Sequence, residues 1–202
     1  MKLDHLAVQA TSLEEGVDHV EAALGVRLSA GGQHPLMGTH NRLLGMGREY
    51  FEVIAIDPNA PAPKRARWFD MDRFNGGPRL TNWIVAVEDM KATLDQMPTA
   101  AGQPIALSRG DLSWQMAVPD NGILPFDGIF PAIISWMSDL HPAGMLEDKG
   151  VRLMQLNVSH PDAGDLRALL APLAADARIA FHKGSPALQA EFSTPNGKRI
   201  LE

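Results

Sequence analysis

Hydrophobic and polar positions repeat in three short segments of the chain that share one pattern. Each begins with a basic residue and Leu, places a polar side chain fourth and a large apolar one fifth, and ends with Val. The segments cover 2–8, 79–85 and 152–158. Short apolar runs of this kind predict strands. Three similar strands at nearly equal intervals indicate an internal repeat.

A helical pattern follows each of the three predicted strands. Ser12 and Glu15 have the spacing of a capping box, and Gly25 stands where a helix commonly ends. Pro98 ends the second helix, and Asp162 is the expected cap of the third. The predicted helices cover 12–25, 89–97 and 163–174.

Further strands follow each helix, separated by Gly and Pro turns. They are predicted at 26–29, 41–46 and 50–56, then at 105–108, 114–118 and 130–137, and finally at 178–182, 188–193 and after the turn at 195–197. The pattern predicts an α+β fold of two βαβββ modules and a shorter C-terminal βαβ-like piece. We expect one domain over 1–202, with modules at about 1–57, 79–140 and 151–202 and a proline-rich linker at 58–78.

Composition narrows the function classes. The 202 residues carry a formal charge of −6, which argues against a nucleic-acid surface. The absence of Cys excludes disulfides, thiolate nucleophiles and cysteine metal centres. No apolar run is long enough for a membrane span, and charge near Met1 does not suit a signal peptide. We therefore expect a cytoplasmic protein without nucleic-acid or membrane partners.

Three stretches carry a resemblance to a known family. The runs at 31–34 (GGQH), 38–41 (GTHN) and 50–58 (YFEVIAIDP) resemble the glyoxalase-like domain family. That family belongs to the vicinal oxygen chelate superfamily, with glyoxalase I, extradiol dioxygenases and bleomycin-resistance proteins. The resemblance implies a cupped half-barrel sheet with helices outside and a ligand cavity inside. In metal-dependent members, the first and last strands of each module carry the ligands, usually His or Gln and then Glu.

His5 and Glu52 are the sharpest pair of candidate residues. Glu52 stands in an otherwise apolar strand, where a carboxylate is costly unless it is paired or coordinated. Imidazole and carboxylate suit one divalent ion of Zn, Fe, Mn, Ni or Co. The alternatives are a buried hydrogen-bonded His–Glu pair, or a Glu52 satisfied by Arg42.

The second module departs from the family's metal pattern. Asn82 takes the position of His5, and amide oxygens are poor ligands for transition metals. The strand at 131–137 has no carboxylate, and Ser135 or Trp136 falls near the expected ligand position. We assign Asn82, Ser135 and Trp136 to substrate binding. A four-ligand site would need His34, His40 or water.

His34, His40 and Asn41 complete the candidate site. Histidine titrates near neutral pH, so His34 joins Glu52 as a candidate for proton transfer. His40 and Asn41 are candidates for substrate binding, although strand alternation lets only one of them face the cavity. The alternative is that both histidines only hold their turns. We expect the other histidines to be structural or exposed, and Trp83 to lie in the core.

Two functions remain open at this point. The first is a glyoxalase- or dioxygenase-like lyase, isomerase or oxygenase, in which a metal held by His5 and Glu52 polarises a small oxygen-rich substrate. The second is a metal-free protein of the bleomycin-resistance type that sequesters a small molecule. Either way the partner is a small molecule. The oligomeric state stays open, with a homodimer as one alternative.

Overall fold

The computed structural model describes residues 1–173 and 176–202, and its elements follow the three pieces of the chain. The first piece contains β1 (Lys2–Gln9), α1 (Leu13–Leu24), β2 (Ser29–His34), β3 (Thr39–Gly45) and β4 (Tyr50–Ile56). The second contains β5 (Arg79–Ala86), α2 (Met90–Leu94), β6 (Gln103–Arg109), β7 (Leu112–Val118), β8 (Ala132–Trp136) and α3 (Pro142–Met145). The third contains β9 (Arg152–Ser159), α4 (Ala163–Leu169), β10 (Ile179–His182), β11 (Ala187–Thr194) and β12 (Gly197–Leu201).

The first two pieces form one curled eight-stranded sheet, a half-barrel. Its strand order is β2-β3-β4-β1-β5-β8-β7-β6. β1 and β5 are antiparallel at the centre, and each pairs in parallel with the last strand of its own half, β4 or β8. The two halves therefore repeat one pairing scheme on either side of the β1–β5 seam. The predicted α+β class and the cupped sheet are confirmed.

The second strand of the first module differs from the prediction. It was expected at 26–29 with a glycine break after it, but β2 runs over Ser29–His34 and contains Gly31. A Cβ on Gly31 would lie 2.2 Å from the carbonyl oxygen of Asn41 on the neighbouring strand. The glycine therefore marks a close backbone approach inside the strand rather than a turn.

Helix α1 is confirmed, and it packs against the convex face of the half-barrel. Ser12 caps it by accepting a hydrogen bond from the Glu15 backbone N–H at 3.2 Å, and Gly25 ends it with φ 71°. Val20 and Leu24 of this helix are fully buried. Its apolar face thus seals the side of the sheet away from the cup.

The other two predicted helices are shorter than expected. α2 ends at Leu94, and α4 ends at Leu169 and is followed by a 3₁₀ turn at Ala171–Leu173. The predicted end of the third helix, Ala174, lies outside the described residues. Asp162 precedes α4 but its side chain makes no capping hydrogen bond. Within 1–173 and 176–202, no helix has the length and apolar character needed to cross a membrane.

The third piece forms a separate four-stranded sheet in the order β10-β9-β11-β12. Its first strand lies between its second and third, unlike the first strand of either earlier module, so it is not a third copy of the cup. It packs on the convex face of the half-barrel through edge-to-face aromatic pairs. Phe51 lies 5.8 Å from Phe192, and Trp83 lies 6.2 Å from Phe181, between ring centroids.

Part of the predicted linker enters the cup. We call residues 68–71 the strap; Trp68, Phe69 and Met71 in it are buried. Phe69 and Asp70 have left-handed backbones, with φ of 58° and 54°. Gln9 holds the strap by donating from Nε2 to the Phe69 carbonyl oxygen at 2.7 Å. The segment between the modules therefore supplies a wall of the cavity.

Candidate functional site

The concave face of the half-barrel encloses a small cavity of about 30 Å³. Strands from both modules contribute to it, and the strap closes one side. Its lining residues are His5, His34, Asn41, Leu43, Tyr50, Glu52, Trp68, Phe69, Arg109, Trp114, Met116, Ile134 and Trp136. Most of the wall is aromatic or aliphatic, so its few charged groups interact in surroundings that screen them weakly.

A chain of hydrogen-bonding groups runs through His5 on β1. Its Nδ1 lies 2.7 Å from Asp4 Oδ1, and its Nε2 faces Glu52 Oε2 at 3.6 Å. An ionised carboxylate only accepts hydrogen bonds, so Nδ1 carries a proton and donates a hydrogen bond to Asp4. Burial by itself would lower the pKa of His5, but hydrogen bonds to Asp4 and Glu52 outweigh burial and raise it. The imidazole is therefore poised to hold a second proton on Nε2.

Asp4 anchors this chain from behind. Besides His5, its carboxylate accepts from Trp136 Nε1 and His141 Nε2, each at 3.0 Å. His141 is oriented in turn, because its Nδ1 accepts from the Ala143 backbone N–H at 3.2 Å. Burial would raise the pKa of Asp4, but the hydrogen bonds from His141 and His5 hold it well below its usual range.

Glu52 is held in place by the neighbouring strand. Asn41 Nδ2 donates to Glu52 Oε1 at 2.5 Å, and Asn41 Oδ1 accepts from the Gly32 N–H at 2.8 Å. Burial would raise the pKa of Glu52, but the hydrogen bond and charge of His5 lower it to about 2. Glu52 is therefore ionised beside an imidazole whose pKa is raised.

His34 lies at the end of β2 and faces the same cavity. Its Nδ1 is 3.1 Å from Thr39 Oγ1, and its ring meets that of Trp68 edge-on, with centroids 5.1 Å apart. Burial lowers the pKa of His34 to about 4. Near neutral pH the cavity thus contains an uncharged imidazole, His34, and one with a raised affinity for protons, His5.

Tyr50 supports the imidazole of His5. The two rings stack with centroids 4.2 Å apart, and the Tyr50 hydroxyl lies 3.4 Å from His5 Nε2. Burial and the Asp4 and Glu52 carboxylates raise the pKa of Tyr50 well above its usual value. The hydroxyl therefore stays protonated and can act as a donor in the cavity.

Strand alternation places the remaining predicted residues on different faces. Asn41 faces the cavity and His40 lies on the other face of β3, near the start of α1, where its buried Nε2 has no partner among the described residues. Trp136 lines the cavity with Ile134, whereas Ser135 between them is buried on the opposite side.

Asn82 lies on β5 but does not line the cavity with His5. Its Oδ1 accepts from Gln9 Nε2 at 3.1 Å and from Thr81 Oγ1 at 2.9 Å. Because Gln9 also holds the Phe69 carbonyl, Asn82 belongs to the hydrogen-bond network that fixes the strap. Its amide contributes to the shape of the site from outside the polar cluster.

The register of the sheet identifies the second-module counterpart of Glu52. Glu52 lies opposite Ala7 in the β1–β4 pair, and Ala132 lies opposite Ile84 in the β5–β8 pair. Ala7 and Ile84 occupy the same place in the repeat. The counterpart of Glu52 is therefore Ala132, earlier in β8 than the two positions considered from the sequence.

The donor set does not fit a divalent ion held by the protein alone. Within 1–173 and 176–202, no three His, Cys, Asp or Glu side chains are arranged around a common point. Of the two expected ligands, Glu52 Oε1 already accepts from Asn41 and Oε2 faces His5 Nε2. Zinc, iron and the other candidates usually take three or four protein ligands.

Several residues of the site escape prediction from the sequence. Asp4 and Tyr50 adjoin predicted residues, but their roles depend on contacts across strands. Trp68 belongs to a segment that reads as a linker, and Arg109 ends a strand that carries no recognisable motif. Trp68 offered a weak signal, since a large aromatic residue in a polar, proline-rich segment needs a place to be buried.

Two βαβββ modules sharing one curled sheet, with a polar cluster on its concave face, define a protein of the vicinal oxygen chelate class. The sequence profile of the glyoxalase-like domain family matches residues 3–174. The chain therefore belongs to the glyoxalase-like domain family. A search of curated protein sequences gave no match.

Three solved structures resemble this chain to different degrees. A hypothetical protein from Staphylococcus aureus is 16% identical, with a TM-score of 0.64, over 92% of this chain and 87% of its own. A methylmalonyl-CoA epimerase from Mycobacterium tuberculosis is 15% identical, with a TM-score of 0.43, over 66% of this chain and 85% of its own. A methylmalonyl-CoA epimerase from Streptomyces coelicolor, an E43L variant in complex with 2-nitronate-propionyl-CoA, is 12% identical, with a TM-score of 0.46, over 69% of this chain and 95% of its own.

Proposed function

We propose that the protein is an enzyme that moves a proton at a carbon next to a carbonyl group of a small substrate, as isomerases and lyases do. The observation that carries this proposal is the buried Asp4–His5–Glu52 chain at the wall of an aromatic cavity. Buried ionised groups are costly even when paired, and perturbed pKa values cluster at catalytic sites.

Each cavity-facing group has a role in this proposal. His5, charged and held by Asp4, donates from Nε2 to the substrate carbonyl oxygen and stabilises negative charge as it develops there. Glu52 or His34 then accepts the proton from the neighbouring carbon. When His5 turns its hydrogen bond to substrate, Glu52 loses part of the interaction that lowers its pKa, which strengthens it as a base.

The site residues divide into those that react and those that position. Asn41 fixes Glu52, and Trp136 fixes Asp4 while lining the cavity. The enzyme classes expected from the sequence included a metal-dependent one with Zn, Fe, Mn, Ni or Co. His5 and Glu52 face each other at 3.6 Å and are hydrogen-bonded to Asp4 and Asn41, respectively, so we assign them to proton transfer.

The aromatic wall favours a second candidate, a protein that binds and sequesters a small molecule without converting it. Trp68, Trp114, Trp136 and Tyr50 provide flat apolar surfaces of the kind that hold planar ligands. This candidate explains the shape of the cup. It gives no role to the buried charges, which is why the enzyme stands first.

Exchange of carbon-bound protons with deuterated solvent tests the proposal. The protein is incubated in deuterium oxide with a panel of small ketones, hydroxyketones and oxo acids, and deuterium incorporation is followed by NMR. We expect exchange that His5→Gln and Glu52→Gln both reduce. Binding of panel members, seen by calorimetry, without any exchange above the protein-free rate would favour the sequestration protein.

A further inference from the structure

Arg109 brings a guanidinium group to the cavity without a carboxylate partner among the described residues. It is half-buried and lies across Gly32, where a Cβ would come within 2.6 Å of Arg109 Cδ. Within 1–173 and 176–202, its guanidinium group donates one hydrogen bond, to Asn41 Oδ1 at 3.3 Å. Other arginines, such as Arg73 and Arg178, do pair with carboxylates. Arg109 therefore has several N–H groups available to a ligand.

A second donor of the cavity is also unused. Trp68 is 3% exposed and lines the cavity, and its buried Nε1–H has no acceptor among the described residues. A buried N–H without an acceptor is costly, so native proteins rarely leave one unpaired. An indole N–H can only donate. A ligand that places an acceptor atom beside Trp68 Nε1 would satisfy this donor.

The charges around the cavity indicate which acceptor fits. Asp4 and Glu52 carry two negative charges against one positive charge on protonated His5, so Arg109 balances the cluster. Among the described residues, Arg109 is the lining cation without a carboxylate within ion-pair distance. Guanidinium groups pair with carboxylates in a planar geometry, using two parallel hydrogen bonds. Glu52 repels a second carboxylate nearby, which directs an anionic group toward Arg109 and leaves an uncharged carbonyl group for His5.

We propose that the substrate is a small oxo acid, whose carboxylate accepts hydrogen bonds from Arg109 and from Trp68 Nε1. This inference rests on the proposed proton transfer and names the substrate class of that site. The cavity is small, at about 30 Å³. A cavity of this size favours a short acid over a bulky one.

Calorimetry with matched probes tests this proposal. The probes are pyruvate, 2-oxobutanoate and 2-oxobutanamide, the last being the uncharged analogue of the second. We expect the wild-type protein to bind 2-oxobutanoate more tightly than the amide. Arg109→Gln should weaken 2-oxobutanoate binding by about 10- to 100-fold and leave amide binding nearly unchanged, since a charged hydrogen bond is lost.

Three further variants make the result specific. Arg109→Lys keeps the charge without the planar fork, and it should lose less affinity than Arg109→Gln. Trp68→Phe keeps a ring in the strap but removes the N–H, and it should weaken binding of the acid by about tenfold. Arg42→Gln is the matched control, because Arg42 is exposed on β3 and does not line the cavity. It should keep the preference for the acid.

The outcomes separate this inference from the function on which it rests. The inference is overturned if the amide binds as tightly as the acid, if Arg109→Gln keeps the preference, or if neither oxo acid binds at millimolar concentration. Proton exchange on uncharged ketones without a preference for acids would keep the proposed function and remove the substrate class. Arg109-dependent binding of acids without exchange would keep the carboxylate site and remove the proton transfer.

Discussion

Asp4 Oδ1 lies 2.7 Å from Nδ1 of His5, the next residue along the same strand. Consecutive side chains of a regular strand point to opposite faces, so such a pair requires an irregularity. The β1–β5 register shifts between Leu3 and His5, which is a bulge at Asp4. Bulges re-aim side chains and are frequent beside active sites. Here the bulge joins an acid to the imidazole of the proposed active site.

Asp4→Asn tests whether this contact orients the proposed catalytic imidazole. The amide has the same shape but no charge, so His5 loses the partner that fixes its tautomer and raises its pKa. We expect proton exchange on a substrate of the NMR panel to fall by about 100-fold or more. Unchanged exchange rates in a correctly folded Asp4→Asn protein would show that Asp4 has only a structural role.

The lowered pKa of Glu52 predicts a pH dependence of stability. Its pKa is about 2 in the folded protein against 4.5 as the ordinary value, so the unfolded chain binds the proton more readily. The stabilisation from ionised Glu52 is therefore fully present above pH 4.5 and is lost as the pH falls toward 2. The shift corresponds to about 3 kcal/mol of unfolding free energy.

Urea unfolding of the wild type and Glu52→Gln across this pH range measures the effect. The variant lacks the titrating group, so its stability should fall less steeply with acid than that of the wild type. Glu14→Gln, at an exposed position on α1, is the control and should follow the wild-type profile. Parallel profiles for the wild type and Glu52→Gln would contradict the assignment of an ionised, buried Glu52.

Much of the fold could be predicted from local signals. The cap at Ser12, the left-handed Gly25 and the apolar face between them specify α1, and the repeated strand pattern specifies β1, β5 and β9. These features depend on neighbours in the chain, which a sequence displays directly. Helices α2 and α4 are shorter than predicted. Where a helix end is only weakly apolar, packing rather than helix propensity decides where the helix stops.

The site is harder to predict from the sequence than the fold, because it depends on contacts between residues that are distant in the chain. His5, Glu52 and Asn41 carried recognisable signals, and they do meet in one cavity. The bulge at Asp4 breaks the alternation on which sequence arguments depend. Arg109 lies on β6, at the far end of the sheet from β2 and β3. Only the curling of the sheet brings it to Asn41.

Elemental analysis tests the conclusion that the donor set does not hold a metal. We expect protein purified without chelators to contain Zn, Fe, Mn, Ni and Co well below one ion per chain, because two mutually paired ligands bind weakly. Glu52→Gln should not change that content. A full equivalent of metal in the wild type that disappears in Glu52→Gln would instead support the metal centre expected from the family resemblance.

Gly31→Ala should damage the site through the backbone. The added Cβ would lie 2.2 Å from the Asn41 carbonyl oxygen, which forces β2 and β3 apart. We expect a loss of about 1–3 kcal/mol in unfolding free energy, as for other overpacked positions. Gly77→Ala is the control, since nothing lies within 4 Å of its added Cβ. Equal stability of the two variants would show that β2 is free to shift.

Gln9→Met tests whether the strap depends on one buried amide. Gln9 Nε2 donates to the Phe69 carbonyl at 2.7 Å and to Asn82 Oδ1 at 3.1 Å, and Met keeps the volume without the donor. Leaving a buried acceptor unpaired costs about 1–3 kcal/mol, so the strap should open more often. Hydrogen exchange at the Asp70 amide, which donates to the Gly122 carbonyl at 2.8 Å, measures the opening.

Faster exchange at Asp70, with no change at the Val20 amide in α1, is the expected result. Equal acceleration at both sites would mean that the variant loosens the whole fold, and no acceleration would mean that the left-handed strap is held by its aromatic packing alone.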